Sequence, residues 1–524
     1  MQFSNEDKDV FLVKIDRMID RGALLSRYSR AASLDIRDVY RKEFEGNEDR
    51  GKDFYRRVFL EYGDESIAEL VTAQMAVQNV SNVLTKVMEE LRIGLSFLEK
   101  SSRYVRYDRK VEGRYLYLDA AKAGISGEES SEYASLCDSL FSFYASQYES
   151  AVSFFKEKYP IDSIRFGEDS SKQSFLEDLD EKEKAVAEKS YNSSVRARAL
   201  DDLRFLLPAS TATNLGISGN GRAFINLVQK LKTVDNPEAK TLADSIYSEL
   251  ENELPELINS AVSSHGLGLI EYQKNLNSIS IPDISPTGEP THTVELLDYE
   301  EKDMALRKAI SLYYFANGST DLKSVIHAVS NLSSGELNAT INKLAGLRKN
   351  RRHKLHRAFE SVPYLFQITT NYGAFRDLQR HRFISINRQP LSDNFGFEVP
   401  EYFAESGGRE EYIKLMAEAS RTYRKIRKRN GRTVAQYAIP YAYRYPVSAY
   451  LNLREAAFFC ELRSTPQAHP DLRKIAISIY QEIRKANPEL SQLIKFVDQG
   501  EYSLGRLKSE HRKERKMREL TDDQ

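Results

Sequence analysis

The sequence predicts a predominantly helical protein built from a duplicated domain. Two observations carry that prediction. Most segments place apolar residues at three- and four-residue steps, the period of an amphipathic helix. The two halves also share landmarks in the same order. "LRFLLPASTATNLGISGNGRAF" puts Pro208 twelve residues before Asn220, and "YAIPYAYRYPVSAYLNLREAAF" puts Pro440 twelve before Asn452. Each asparagine opens an Asn-x-Arg triplet. Upstream, Glu69 precedes Ser96 by 27 residues and Glu360 precedes Ser385 by 25.

Taken in chain order, "ESIAELVTAQMAVQNVSNVLTKVMEEL" reads as a helix of several turns, and "SEYASLCDSLFSFYASQYESAVSFFKEKYP" as a longer one stopped by Pro160. "SISIPDISPTGEPTHT" has three prolines and no helical period, so residues 278–293 read as a linker. "VELLDYEEKDMALRKAISLYYFAN" then opens a second unit. The expected organisation is a first domain over 1–277, the linker, a second domain over 294–490 and a charged helical tail over 491–524. In that tail Arg512, Lys513, Arg515, Lys516 and Arg518 alternate with Glu510, Glu514 and Glu519. A solvated helix with internal ion pairs is expected, ahead of an RNA-gripping one.

The 76 basic and 77 acidic side chains leave a net charge of −1, so no global field draws nucleic acid or membrane. No apolar run approaches the ~18 residues of a membrane span. The opening "MQFSNEDKDVFLVKID" lacks the basic start and apolar core of a signal peptide. A cytoplasmic protein is expected. Cys137 and Cys460 offer neither a disulfide framework nor a metal cluster, and both are expected to be buried and inert.

Candidate chemistry gathers in the second half, at Arg380, His381, Arg382, Ser385, Asn387, Asn452, Arg454 and Arg463. The first half offers Ser101, Arg103 and Arg204, with Asn220 and Arg222. Arginine forks and serine hydroxyls suit phosphate oxygens. On a helix from Asn452 to Arg463 both end residues share a face and can flank one ligand. The plainer readings are a basic corner ending a helix for 380–382, and salt bridges from Arg454 and Arg463 to Glu455 or Glu461. There is no dinucleotide-fold glycine motif, no Walker loop and no strong zinc spacing.

"RHRFISIN" resembles the first part of the signature of the flavin-dependent thymidylate synthases, Arg-His-Arg-x-x-Ser-x-Asn-x-x-Ser-x-Arg-Tyr. "VELLDY", "AIP" and Asn452-x-Arg454 through Leu462-Arg463 are similar to that family's start, middle and end. The first half resembles the same family through "YGDESIAE", "LEKSSRYV", "LRFLLP" and "NGR". The likeness spans the chain except for a helical insertion at about 115–190 and the tail after about 490. It implies an α+β fold, two tandem copies of helices around a central antiparallel sheet.

The departures are complementary. Pro390 and Ser392 replace the second Ser and the Arg of the signature in the second half, whereas Ser101 and Arg103-Tyr104 supply them in the first. Leu91-Arg92-Ile93 stands at the first half's Arg-His-Arg position. Arg204 matches a nucleotide-binding arginine where the second half has Gln436; Arg463 matches another where the first half has Leu231. A flavin-contacting His is replaced by Asp64, and by Leu355 with His356 one place off. The resemblance therefore implies one composite pocket shared by both copies. It implies reductive methylation of dUMP to dTMP with FAD as cofactor and NADPH and methylenetetrahydrofolate as co-substrates. Ser101, Arg103, Arg204 and Arg463 would bind substrate; Arg380, His381, Arg382, Ser385, Asn387 and Asn452 would bind flavin; Arg463 and Arg380 would be catalytic. A homodimer replacing the family's tetramer is expected, with no membrane or nucleic-acid partner. The alternative is a family member that holds flavin or nucleotide without methyl transfer.

Overall fold

The computed structural model describes residues 2–47, 49–62, 65–167, 173–282, 284 and 293–522. Asp64 and most of the 278–293 linker lie outside them. The fold is α+β: helices surround two small antiparallel sheets, one in each half. In the first half β1 (Thr72–Ser81) and β2 (Leu95–Glu99) flank β5 (Ala212–Asn220), in the order β1-β5-β2. In the second, β7 (Pro363–Asn371), β9 (Arg444–Asn452) and β8 (Ser385–Arg388) repeat that order, and β6 (Thr293–Tyr299) adds an outer strand beside β7. A two-stranded hairpin of β3 (Arg165–Phe166) and β4 (Ser174–Phe175) caps the insertion.

The stretch expected as one helix from 65 to 91 is instead a 3₁₀ turn (Glu65–Leu70), then β1, then a short helix Asn82–Met88. Alternation decides it: Ala73 and Val77 point inward while Gln74 and Ala76 face out, and apolar residues two apart also fall three and four apart by accident. A bulge between Val77 and Val80 absorbs one residue, with Asn79 at φ +56°.

Equivalent residues do equivalent work in the two halves. Asn220 caps helix Gly221–Thr233 by accepting from the Ala223 amide at 2.9 Å, and Asn452 caps helix Leu453–Arg463 by accepting from the Glu455 amide at 2.9 Å. The arginine two residues on pairs with the upstream glutamate in both cases, Arg222–Glu69 at 3.0 Å and Arg454–Glu360 at 2.7 Å. Glu360 is thus Arg454's carboxylate, not Glu455 or Glu461. Glu461 instead takes both amino groups of Arg348, at 2.6 and 2.7 Å.

The matching prolines face each other. Pro208 and Pro440 form an antiparallel bridge, flanked by Ala209 N–H to Ile439 O at 2.8 Å and Tyr441 N–H to Leu207 O at 2.9 Å. A two-fold relation between two copies requires such reciprocal contacts. One core cluster includes first-half residues such as Val83 and Leu203 together with second-half residues such as Phe375 and Ala457; a second cluster is made of first-half residues only. The halves therefore share an interior. Buried tyrosines sew it together: Tyr372 donates to Asn82 O at 2.9 Å and Tyr437 to Glu238 Oε2 at 2.5 Å.

The inserted helix Glu129–Lys158 ends before Pro160 as expected, and packs against helices Glu181–Leu203 and Arg409–Asn430. Both cysteines are buried, and burial pushes the Cys137 thiol up to about 12. The tail helix Leu507–Asp522 is not solvated on all sides. It lies along helix Glu181–Leu203, with Glu514 on Lys189 at 2.5 Å and Ser193 donating to Glu510 at 3.1 Å.

Candidate active site at the junction of the two halves

Helix Asn82–Met88 of the first half and helix Tyr372–Leu378 of the second each follow a sheet strand, and they touch across the junction: Gln379 Nε2 donates to Lys86 O at 2.8 Å. Between them lies Glu99, its side chain 1% exposed, holding Lys86 Nζ at 3.1 Å and Arg376 Nη2 at 2.7 Å. Arg380 stands at the edge, 44% exposed, 3.9 Å from Glu99 and 3.7 Å from Asp377. Asp377 also receives the buried first-half Arg204, at 3.4 Å. Burial pushes the Asp377 carboxyl up, but Arg380, Arg204, Arg103 and His469 together hold it well below the usual range.

The structure thus brings Arg204 and Arg380, one from each half, onto one carboxylate. Arg103 and Arg463 lie within electrostatic reach of the same aspartate. Arg103 is itself held by Asp201, Nε at 2.7 Å and Nη2 at 2.9 Å, which leaves its Nη1 donors for another partner. Ser101 shapes the turn before it, its Oγ accepting from the Arg103 amide at 3.3 Å. Arg204 is 2% exposed, yet its Nε and Nη2 have no hydrogen-bond partner. A bare hydrogen at Gly373 leaves it room, since a Cβ there would sit 3.2 Å from both nitrogens.

The Arg-His-Arg triplet fans out as consecutive helical-end residues must. His381 turns inward, 4% exposed, and accepts from Arg463 Nε through Nε2 at 2.7 Å; its Nδ1 lies 3.5 Å from Glu455. Donation from a guanidinium requires a neutral acceptor nitrogen, and burial lowers the imidazole's pKa in agreement. Arg463 therefore pairs with His381, not with Glu455 or Glu461. Arg382 is exposed. Ser385 and Asn387 face outward on the edge strand β8, where Asn387 donates to Ser448 at 3.2 Å. They do not converge with the arginines around Asp377.

Asn452 instead lines a cavity of about 540 Å³ beside them, walled by Arg348, Arg351, Lys354, Arg357 and Arg454 and flanked by the exposed rings of Phe383 and Phe458. Leu355 lines it too, while His356 caps the next turn and packs edge-on against Tyr313 at 5.2 Å. Sequence reasoning missed this wall, although "LRKNRRHKLHR" announces it as a basic run. It also passed over Glu99, although that residue lies within "LEKSSRYV", and Asp201, Asp377 and Arg376, for which sequence carries no signal beyond charge.

Behind Arg204 sits His469, buried, capping helix Pro470–Ala486 by accepting from the Asp471 amide at 3.2 Å. Burial, then Arg204, push its pKa from an ordinary 6.5 to about 3. In that window the unfolded chain binds a proton that the folded chain refuses. Stability therefore falls as pH drops from 6.5 toward 3, by up to about 1.4 kcal/mol per pH unit. His469→Asn keeps a capping acceptor without the titration. Its urea-unfolding free energy is expected to fall less steeply between neutral pH and about pH 4; slopes equal to wild type would show that His469 does not titrate on unfolding.

Fold and site together define a tandem protein with a cluster of arginines and buried carboxylates where its two copies meet. The chain matches the thymidylate synthase complementing protein family over residues 23–256 and 295–489, and it belongs to that family. A UPF0159 protein of Thermoplasma acidophilum is 52% identical over 95% of this chain and 99% of its own length. A UPF0159 protein of Chlamydia muridarum is 32% identical over 97% and 96%. A flavin-dependent thymidylate synthase of Pyrococcus abyssi is 30% identical over 23% of this chain and 50% of its own. Among solved structures, a UMP/dUMP methylase, PolB, from Streptomyces cacaoi bound with 5-Br dUMP aligns with a TM-score of 0.30 and 20% identity, covering 39% of this chain and 95% of that one. Among the described residues no helix is long and apolar enough to cross a membrane.

Proposed function

We propose that this protein is a flavin-dependent thymidylate synthase, converting dUMP to dTMP with methylenetetrahydrofolate as carbon donor and NADPH as reductant. The carrying observation is Arg204, buried at the junction with two unpartnered donors and sharing Asp377 with Arg380 of the other half. A buried guanidinium with orphaned N–H groups is costly unless a ligand completes it. The nucleotide phosphate and base would meet Arg204, Ser101 and the free side of Arg103. Arg463, steadied at Nε by His381, would present its outer amino groups to a uracil carbonyl and stabilise negative charge growing there. Arg380 would span nucleotide and flavin.

The basic cavity fits FAD in charge and size. Arg351, Lys354 and the outer amino group of Arg454 suit a diphosphate, Phe383 and Phe458 suit a planar ring, and its 540 Å³ is within the usual range for cofactor sites. The flavin, when bound, supplies the hydride chemistry. Asn452 would contribute from the cavity wall, and Arg382 from its exposed place at the rim. His381 would act through Arg463. Ser385 and Asn387 open on the sheet's solvent face, so a homodimer would be needed to bring them to a flavin; sedimentation would detect the dimer.

A yellow protein releasing tritium from 5-tritiated dUMP, given folate, NADPH and FAD, is the expected result. Arg454→Ala is expected to weaken FAD binding at least tenfold, the worth of one charge-assisted hydrogen bond of about 1.5–3 kcal/mol. Unchanged affinity in a fluorescence titration would remove the flavin from this cavity. A second reading, ligand binding without methyl transfer, is favoured by the two-point Arg103–Asp201 bond, which ties up a substrate-binding arginine. Flavin binding with no tritium release would select it.

A further inference from the structure

After helix Pro488–Ser491 the chain doubles back as a strap, and the strap roofs a second, smaller cavity. Asp498 donates its amide to Ser464 Oγ at 3.0 Å, and Arg473 ties the strap down at Asp498 O (3.2 Å) and Gly500 O (2.8 Å). Gly505 lies so close to Pro466 that a Cβ would fall 2.1 Å from its carbonyl oxygen. The next residue, Arg506, is driven inward. It is 5% exposed, 4.5 Å over the Tyr104 ring, and its Nη2 is 3.5 Å from Asp201.

The cavity beneath measures about 60 Å³ and is lined by Arg103, Arg198, Arg473, Arg506 and Asp201, with Ser503 among its hydroxyls. Arg198 is matched by Asp202 and Glu401 outside it, and Arg473 by Asp498 at 3.7 Å. Arg103 and Arg506, however, share the single carboxylate of Asp201. Glu510, the next acid within electrostatic reach of Arg506, is itself held by Lys513, so one buried positive charge is left over, and Arg506 Nε has no partner. An uncompensated charge out of water is expensive, and an anion removes the cost. The space is several times what one water needs and far below what a nucleoside fills.

We infer that this strap-covered cavity is a binding site for a free phosphate-type oxyanion, separate from the place of the nucleotide's own phosphate. Arginine forks from four separate segments surround it, a geometry suited to tetrahedral oxygens. The inference stands whether or not the chain transfers methyl groups.

Calorimetric titration of the full chain with inorganic phosphate, at constant ionic strength in chloride, is expected to show one saturable site per chain, with a matching rise in Tm. Arg506→Gln is expected to weaken phosphate binding at least tenfold. Simultaneous binding of phosphate and dUMP is expected; displacement of phosphate by dUMP would assign the anion to the nucleotide site and overturn the inference. Absence of saturable binding to the wild type at millimolar phosphate, or undiminished binding by a folded Arg506→Gln variant, overturns the inference. Either of those results with dUMP binding intact leaves the proposed enzyme function untouched.

Discussion

Replacing Arg463 with alanine is expected to lower tritium release from 5-tritiated dUMP by about 100- to 1000-fold, equivalent to about 2.7–4 kcal/mol of transition-state stabilisation. The side chain ends helix Leu453–Arg463, so its position is set by a rigid element capped by Asn452. Its Nε is fixed on His381 and no carboxylate holds it among the described residues, so its charge is free to act on a ligand. Burial lowers its pKa, the mark of a cation kept out of water, and Arg380 and Arg103 add to the shift against Asp377. In the proposed reaction the loss is expected in kcat, because charge on the uracil oxygen would grow only in the transition state. Arg463→Lys restores charge without the fork, so it should recover only part of the rate. A loss confined to KM would make Arg463 a simple binding residue. Activity within threefold of wild type, in a variant with an unchanged circular dichroism spectrum, would end its catalytic assignment.

The duplication was legible because Pro208, Pro440, Asn220 and Asn452 mark turning points, where backbone chemistry restricts the residue type and side chains cap the next helix. Strand β1 was not, because its inward alternation is diluted by alanines and imitates a helical period. The cationic half of the site was legible through Arg103, Arg204, Arg380 and Arg463, which carry family motifs. Its anionic half was not. Asp201 and Asp377 matter only because the fold sets them against arginines distant in sequence, and a lone acid on a helix looks the same whether or not that happens. The tail's glutamates likewise serve equally well for pairs within the helix or across to Lys189, and sequence alone does not choose. Arg506 stands six residues before the basic run, and nothing in the sequence sets it apart.

Glu99 gives the sharpest test of whether the two halves stand or fall together. Glu99→Ala is expected to cost about 3–5 kcal/mol, because it strands Arg376 of the second half as a buried, unpaired charge and leaves Lys86 of the first half with Glu89 alone. Arg376 would keep Ser102 at 3.3 Å and the Tyr441 ring at 4.9 Å, too little to replace a carboxylate. Burial pushes Glu99's pKa up, but Arg376, then Lys86 and Arg380, more than offset it and bring it down to about 2. A depressed carboxylate stabilises the fold above its ordinary 4.5 and loses that contribution as pH falls toward 2. The wild type should therefore lose stability through that acid window, and Glu99→Ala should lose less of what remains. The double variant Glu99→Leu, Arg376→Met removes the carboxylate together with the stranded guanidinium, while Lys86 keeps Glu89, and is expected to recover most of the loss, since the penalty lies in the stranded partner. Unfolding of Glu99→Ala monitored by urea should remain one transition, because Val83 and Phe375 belong to a common interior. A loss below about 1 kcal/mol would mean that water reaches Arg376, and the junction would then be an ordinary surface contact instead of part of a shared interior.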